Sequence, residues 1–207
     1  MPRRNRVTPE GEIIADPARG LFRGNRGILH DDAGNIVRTH ALPAWITCLL
    51  HFKDRKPPVP LVSPGRYTRL FFLDEAVALA AGHRPCGECR REAYARYRAA
   101  WAAAAGTGLP APREMDRALH AARIAPRRGT KVTFAAPVES LPDFAFLRTG
   151  AGPAMVAGDR LLPWAPGGYG TPLPRPASGL VEVLTPGPTV EVLRAGYRPV
   201  LHPSAGA

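Results

Sequence analysis

Two cysteines separated by two residues, Cys86 and Cys89 in the segment AGHRPCGECRR, constrain this chain more than any other feature. A Cys-x-x-Cys segment lets two thiolates bind one metal ion, at about 2.3 Å from each sulfur. The pair follows Arg84-Pro85 and precedes a predicted helix, whose positive N-terminal end favours thiolates. A thioredoxin-like redox pair would need a βαβ setting, which the flanking sequence does not show. We therefore predict half of a structural Zn²⁺ site.

The cysteine content and the hydropathy pattern indicate where such a protein works. Three cysteines, two of them closely spaced, suit a metal in a reducing compartment better than a disulfide framework. No stretch approaches the roughly 18 apolar residues that cross a bilayer, and the basic start of the chain has no apolar segment behind it, as a secretory signal would have. We expect a soluble cytoplasmic protein without a membrane partner.

The net charge of +11 is confined to one region of the chain. Residues 1–131 hold 23 Lys/Arg and 12 Asp/Glu, whereas residues 132–207 hold five of each. A localised excess of this kind favours a polyanion partner, because phosphate neutralisation with counterion release drives most non-specific nucleic-acid affinity. A GC-rich genome would explain the preference for arginine over lysine, but it explains less well why only one region is basic.

We therefore predict a nucleic-acid partner, with DNA favoured over RNA. The arginines that we expect to contact phosphates lie in the glycine-rich N-terminal region and beside the cysteine pair. They are Arg23, Arg26, Arg84, Arg90 and Arg91.

The residue patterns predict an α+β fold: a zinc module with flanking helices and a small β-rich C-terminal unit. The expected segments are a basic segment with a hairpin in GILHDDAGNIVR (1–43), the zinc module and the helix after it (44–105), a linker and helix (106–131) and the β-rich unit (132–207). Within them we predict a strand at 44–52, a helix in LDEAVALAAG that Gly82 ends, and further helices at 90–105, 113–124 and 189–197. Residues 163–179 read as a long loop.

The segment FLDEAVALAAGHRPCGEC (72–89) resembles the second half of the Ada-type metal-binding domain of DNA-repair proteins. That family has the same order of an EA-containing helix, Ala-Gly, an aromatic residue or His, Arg-Pro-Cys, two residues and Cys. With Cys48 the resemblance covers residues 45–91, less than a quarter of the chain. It implies a zinc-stabilised fold and a role in DNA repair. The whole chain also resembles a group of bacterial proteins with the same GNRG, FFLDEA and GDRLLPW segments.

The resemblance implies two further thiolate ligands upstream, one of which accepts a methyl group from a DNA phosphate in that family. Cys48 matches one of them, and the sequence has no second upstream cysteine. We therefore do not expect methyl transfer, and tetrahedral zinc needs another fourth ligand. His51 is favoured because it is nearest, although an ideal strand would point it away from Cys48. His83, His40 or a water molecule are alternatives.

Two other clusters could carry out chemistry. Asp116 and His120 lie at i and i+4 of a predicted helix and could form an acid-oriented histidine, although an exposed pair without function is the simpler interpretation. His30-Asp31-Asp32 could hold a metal ion, but it lies in a predicted turn where Asp is common.

Three functions are consistent with these observations. The favoured one is a zinc-stabilised nucleic-acid-binding protein of DNA repair or processing. One alternative is a metal-dependent nuclease or base-processing hydrolase that uses Asp116 and His120 or His30 and Asp31. The other is a protein-interaction module that uses the loop at 163–179. The sequence leaves the oligomeric state and enzymatic activity undecided.

Overall fold

The computed structural model describes residues 1–53, 65–125 and 131–206. Within these ranges the fold is α+β, with four α-helices and two sheets. The helices are α1 (Glu75–Ala80), α2 (Arg91–Ala105), α3 (Pro112–Arg123) and α4 (Gly187–Arg194). The N-terminal sheet contains β1 (Arg4–Val7), β2 (Ile13–Ala15), β3 (Phe22–Asn25), β4 (Ile46–Leu49), β5 (Leu70–Phe72) and β6 (Arg84–Pro85). The C-terminal sheet contains β7 (Phe134–Pro137), β8 (Phe146–Thr149), β9 (Gly152–Ala157), β10 (Arg160–Ala165), β11 (Gly168–Tyr169), β12 (Leu173–Pro174) and β13 (Leu180–Val183).

The N-terminal sheet has the strand order β2-β1-β5-β3-β4-β6. Its neighbours are antiparallel except for two parallel pairs, β1 with β5 and β4 with β6. The second parallel pair matters most for the site, because it aligns Ile46 with Arg84 and Thr47 with Pro85. The strand that carries Cys48 therefore lies directly beside the strand that leads into Cys86.

The predicted helices and the strand around Cys48 are confirmed, with boundaries shifted by a few residues. Helix α1 begins after Asp74, whose carboxylate accepts a hydrogen bond from Val77 N at 2.9 Å. It ends as expected at Gly82, which has a φ of +89°. A Cβ at Gly82 would also lie 2.5 Å from Arg123 Cδ, so glycine is required there for space as well as for conformation.

The predicted hairpin in GILHDDAGNIVR is also present. Its turn is closed by Asp31, which hydrogen-bonds Asn35 through both backbone and side chain, and a bridge joins His30 to Ile36. Gly34 has a φ of +86° in this turn, a conformation that glycine adopts without strain.

The segment at 163–179, expected to be a long loop, contains regular structure. Strands β10 and β11 form a hairpin in which Trp164 pairs with Tyr169, and β12 adds a further short pairing. Tyr169 is buried and its hydroxyl donates to Asp74 Oδ2 at 2.8 Å. Trp164 and Tyr169 of the predicted loop are therefore packed against the core of the protein.

The β-rich C-terminal residues share their core with the N-terminal sheet. One buried cluster combines Val7 and Phe72 of the N-terminal sheet with Phe146, Met155 and Leu162 of the C-terminal sheet. A second cluster packs helix α2, through Tyr97, against helix α4 and the strands. The four segments predicted from composition therefore do not have separate cores.

A buried polar network at the start of α1 joins the two halves. Glu75 binds Arg90 at 2.7 Å, accepts a hydrogen bond from the Tyr197 hydroxyl at 2.6 Å and accepts another from Val200 N at 2.9 Å. Burial and the Glu75 carboxylate raise the pKa of Tyr197, so its hydroxyl stays protonated and remains a donor.

We predict that Tyr197→Phe lowers the free energy of unfolding by about 1.5–3 kcal/mol, because it removes a buried hydrogen bond to a carboxylate. Urea unfolding measures the change. Tyr67→Phe is the matched control, since Tyr67 is 41% exposed. Equal stabilities of the two variants would show that the network does not hold the halves together.

Candidate metal centre

The three cysteine sulfurs come together in the folded chain. The Sγ atoms of Cys48, Cys86 and Cys89 all lie within 4.8 Å of one another, and none forms a disulfide. Tetrahedral coordination with metal–sulfur bonds of about 2.3 Å requires sulfurs about 3.8 Å apart, which this spacing accommodates. The cluster can therefore hold a metal ion.

Main-chain contacts position the three sulfurs before any ion is bound. Cys48 lies on β4, and Cys86 N donates to Thr47 O at 3.0 Å, which anchors the Cys-x-x-Cys turn to that strand. Glu88 N points at Cys86 Sγ from 3.4 Å, and Arg90 N donates to Cys86 O at 3.1 Å. The turn then runs directly into helix α2, so the backbone determines the separation of the thiols.

The close approach of the thiols strongly perturbs their titration. Hydrogen bonds from Cys48 and Cys89 lower the pKa of Cys86, whereas the hydrogen bond to Cys86 is the largest cause that raises the pKa of Cys48. The Cys86 thiolate thus accepts hydrogen bonds from the thiols of Cys48 and Cys89. A divalent cation in their midst would replace the shared protons, since metal binding requires deprotonated cysteines.

Arg23 lies beside the sulfur cluster. Its position on β3 pairs directly with Cys48 on β4, so the two side chains are cross-strand neighbours on one face of the sheet. Arg23 Nε is buried and has no hydrogen-bond partner among the described residues.

The histidines considered as fourth ligands lie elsewhere in the described structure. The group of ligand atoms within 4.8 Å of one another contains no histidine among the described residues. His51 is exposed, and His83 is fully buried against the rings of Trp45 and Phe72. His40 packs against Trp45 and His120. Of the four predicted ligands, the three cysteines lie together among the described residues, and His51 is not part of their group.

Three of the five predicted phosphate-binding arginines are occupied inside the protein. Arg84 is buried and makes two 2.8 Å bonds to the carboxylate of Asp116. Arg90 is buried against Phe22 and paired with Glu75, and Arg26 is 1% exposed. Of the set, Arg91 is fully at the surface and Arg23 is partly so.

Asp116 does not orient His120 as the helical spacing suggested. Both carboxylate oxygens of Asp116 bind Arg84, while His120 Nδ1 lies 3.5 Å from Arg123 Nη2. Burial and the Arg123 charge lower the pKa of His120, which favours a neutral ring.

The His30-Asp31-Asp32 cluster is part of the hairpin. His30 Nδ1 and Thr68 Oγ1 are 2.5 Å apart, and Asp31 closes the turn.

Two grooves with basic residues in their walls lie near the end of β4. The first, which we call the cysteine groove, has a volume of about 770 Å³ and borders Cys89. Its exposed cations are Lys53, Arg91 and Arg96, and its exposed acids are Glu88 and Glu92. The second, the N-terminal groove, has a volume of about 630 Å³. It is lined in part by Arg3, Arg6, Arg19 and Leu50. Leu49 lines the cysteine groove, and the next residue, Leu50, lines the N-terminal groove.

Arg3, Arg6, Arg19 and Arg96 line the grooves but are not among the five arginines predicted from the sequence to bind phosphates. The regional charge excess was the available signal, but it could not show which arginines fold inward.

Comparisons with protein-family models, curated proteins and solved structures found no match to this chain. Among the described residues, no helix has both the length and the apolar character needed to cross a bilayer.

We predict that purified protein binds about one divalent metal ion per chain through the cysteines, and that Cys48→Ser or Cys86→Ser abolishes stoichiometric binding. Elemental analysis of dialysed protein measures the metal content. His51→Ala is the matched control, because its ring lies outside the sulfur group and the variant should keep its metal. Metal-free wild-type protein would show that the cysteines are not a metal centre.

We predict that Asp116→Asn destabilises the fold by about 3 kcal/mol or more, because it leaves the buried Arg84 charge without its partner. Urea unfolding of this variant and of Asp159→Asn, a carboxylate at the surface, makes the comparison. An unchanged free energy of unfolding for Asp116→Asn would show that the ion pair with Arg84 does not stabilise the fold.

Proposed function

We propose that this chain is a zinc-stabilised nucleic-acid-binding protein that acts in DNA repair or processing. The observation that carries the proposal is the position of the three-cysteine cluster at the edge of the cysteine groove, whose exposed cations are Lys53, Arg91 and Arg96. Metal binding would hold the groove in shape, and the cations would bind phosphates. The Ada-like order of residues 72–89 supports the same role.

Zinc is the ion that best suits the donor set. Clustered thiolates favour Zn²⁺, Cu⁺ or iron–sulfur clusters over hard ions such as Mg²⁺, and Cys-x-x-Cys turns with an additional upstream cysteine are typical of structural zinc. The ion would tie β4 to the start of α2 and so order the helix that presents Arg91 and Arg96. Its fourth ligand would be solvent or a group outside the described cluster.

The charges of the two grooves favour a phosphate backbone. The N-terminal groove combines Arg3, Arg6 and Arg19 with one acidic residue, Asp16. Basic grooves bind nucleic acids through phosphates with little sequence preference. Phe52 and Phe71 at the groove walls hold the cations of Lys53 and Arg6 over their rings.

We predict that Arg91→Ala with Arg96→Ala weakens DNA binding by about tenfold or more and reduces the salt dependence of the affinity by about two charges. Fluorescence anisotropy with single- and double-stranded oligonucleotides at several salt concentrations measures both quantities. RNA of the same sequence tests the preference for DNA.

The control is Arg113→Ala with Arg117→Ala, which removes the same charge from the exposed face of α3 outside both grooves. Equal weakening in both double variants would indicate a general charge effect, and the proposed interface would be rejected. Absence of binding by the wild-type protein at low salt would reject the function itself.

A further inference from the structure

Three cations lie close together inside the protein, away from the sulfur cluster. Arg26 and Arg123 are each 1% exposed and both stack on Trp45, with guanidinium carbons 4.0 Å and 3.9 Å from the ring centroid. Lys131 lines a cavity that Arg26 and Arg123 also line, and its ammonium group donates to main-chain oxygens. We call Arg26, Arg123 and Lys131 the buried cation cluster.

Carbonyl oxygens and histidine ring nitrogens, not carboxylates, are the partners of this cluster. Arg26 donates to Gly11 O at 2.9 Å, and Arg123 donates to Gly82 O at 2.6 Å. Lys131 donates to Pro9 O and Ala80 O at 2.6 Å and 2.7 Å. Among the described residues, no carboxylate lies within ion-pair distance of any of the three cations.

The nearest acids are already engaged. Asp116, which attracts Arg123, binds Arg84 with both oxygens. Glu10 and Glu182, which attract Lys131, both bind Arg148, at 3.2 Å and 2.8 Å. The cluster therefore carries positive charge without a counter-ion, an unfavourable arrangement in a protein interior.

The titration of these groups reflects the missing counter-ion. Burial lowers the pKa of Arg26 and of Arg123 to about 9, and the pKa of Lys131 to about 7. Such shifts follow when the charged form loses its hydration and gains no compensating partner.

The cluster borders a cavity of about 460 Å³, within the size range of small-molecule sites. Arg26, Arg123, Lys131, Arg148 and Trp45 contribute to its wall. Arg26 Nη2 and Arg123 Nε are buried donors that have no hydrogen-bond partner among the described residues. Buried donors without partners are rare in folded proteins and call for an explanation. An anion in the cavity would accept from these donors and neutralise the cluster.

We propose that this cavity binds a phosphate monoester. A guanidinium matches the oxygens of a phosphate group, and a dianion offsets more of the buried charge than a carboxylate does. Glu10, Glu12 and Glu182 line the same cavity, which disfavours a second or third phosphate. They are placed to accept hydrogen bonds from hydroxyl or amino groups of the esterified part. A free nucleotide and the terminal phosphate of a nucleic-acid strand share this chemistry.

Isothermal titration calorimetry of the full metal-loaded chain tests the site, with adenosine monophosphate, inorganic phosphate and adenosine as ligands. We expect the monophosphate to bind, phosphate to bind more weakly and adenosine not to bind. Arg26→Met should weaken binding of the monophosphate by about tenfold or more. Methionine leaves no unpaired donor in the interior, and replacing a buried charge by an apolar side chain is often tolerated.

Lys131→Met provides a second test that does not depend on folding of the Arg26 variant, and Arg113→Met, at the surface of α3, is the control. Failure of wild-type protein to bind the monophosphate at millimolar concentration overturns the proposal. So does unchanged binding by a folded cluster variant. Because the grooves and the cavity are separate, the Arg91→Ala, Arg96→Ala variant should bind the monophosphate normally even if nucleic-acid binding fails.

A pair of oligonucleotides distinguishes the two sources of the phosphate. If a 5′-phosphorylated strand binds more tightly than the same strand with a 5′-hydroxyl, and Arg26→Met abolishes the difference, the strand end is the ligand. If only adenosine monophosphate responds to Arg26→Met, the ligand is a free nucleotide.

Discussion

The parallel pairing of β4 with β6 is the constraint on which the candidate metal centre depends. It aligns Thr47 with Pro85, and the hydrogen bond from Cys86 N to Thr47 O carries this pairing into the cysteine turn. Residues almost forty positions apart are thereby held at the distance that one ion requires. Leu49 of β4 also lines the cysteine groove, so a metal ion bound by the cysteines would stabilise the surface proposed to bind phosphates.

The described arginines lie in environments with different physical roles. Arg84 and Arg90 are paired with carboxylates in the interior and hold helices and sheets together. Arg26 and Arg123 are buried without such partners and stack on Trp45. Arg3, Arg19, Arg91 and Arg96, in contrast, are exposed in the walls of the grooves. Net charge alone therefore overstates the basic surface of this chain.

Much of the local structure could be predicted because local signals determine it. Asp74 caps α1, Gly82 ends it with a left-handed backbone, and the Asp31 turn closes a hairpin. The prediction of a loop at 163–179 was wrong in part. The Gly and Pro residues of this segment favour a loop, but its short strands form when they pair with neighbouring strands of the sheet. The i and i+4 spacing suggested that Asp116 pairs with His120. Asp116 instead binds Arg84, which is distant in sequence and which the helical spacing could not indicate.

The sequence alone determined the Cys-x-x-Cys turn, the helices around it and the concentration of positive charge in residues 1–131, because each depends on residues close together in the chain or on composition. The resemblance already predicted Cys48 as a ligand, but only the tertiary structure decided that the histidines lie outside the cluster and that Arg26 and Arg123 line a cavity. These outcomes depend on which strands pair and which side chains become buried. Pairing and burial are settled by packing across the whole chain, where competing contacts between distant residues outweigh local preference.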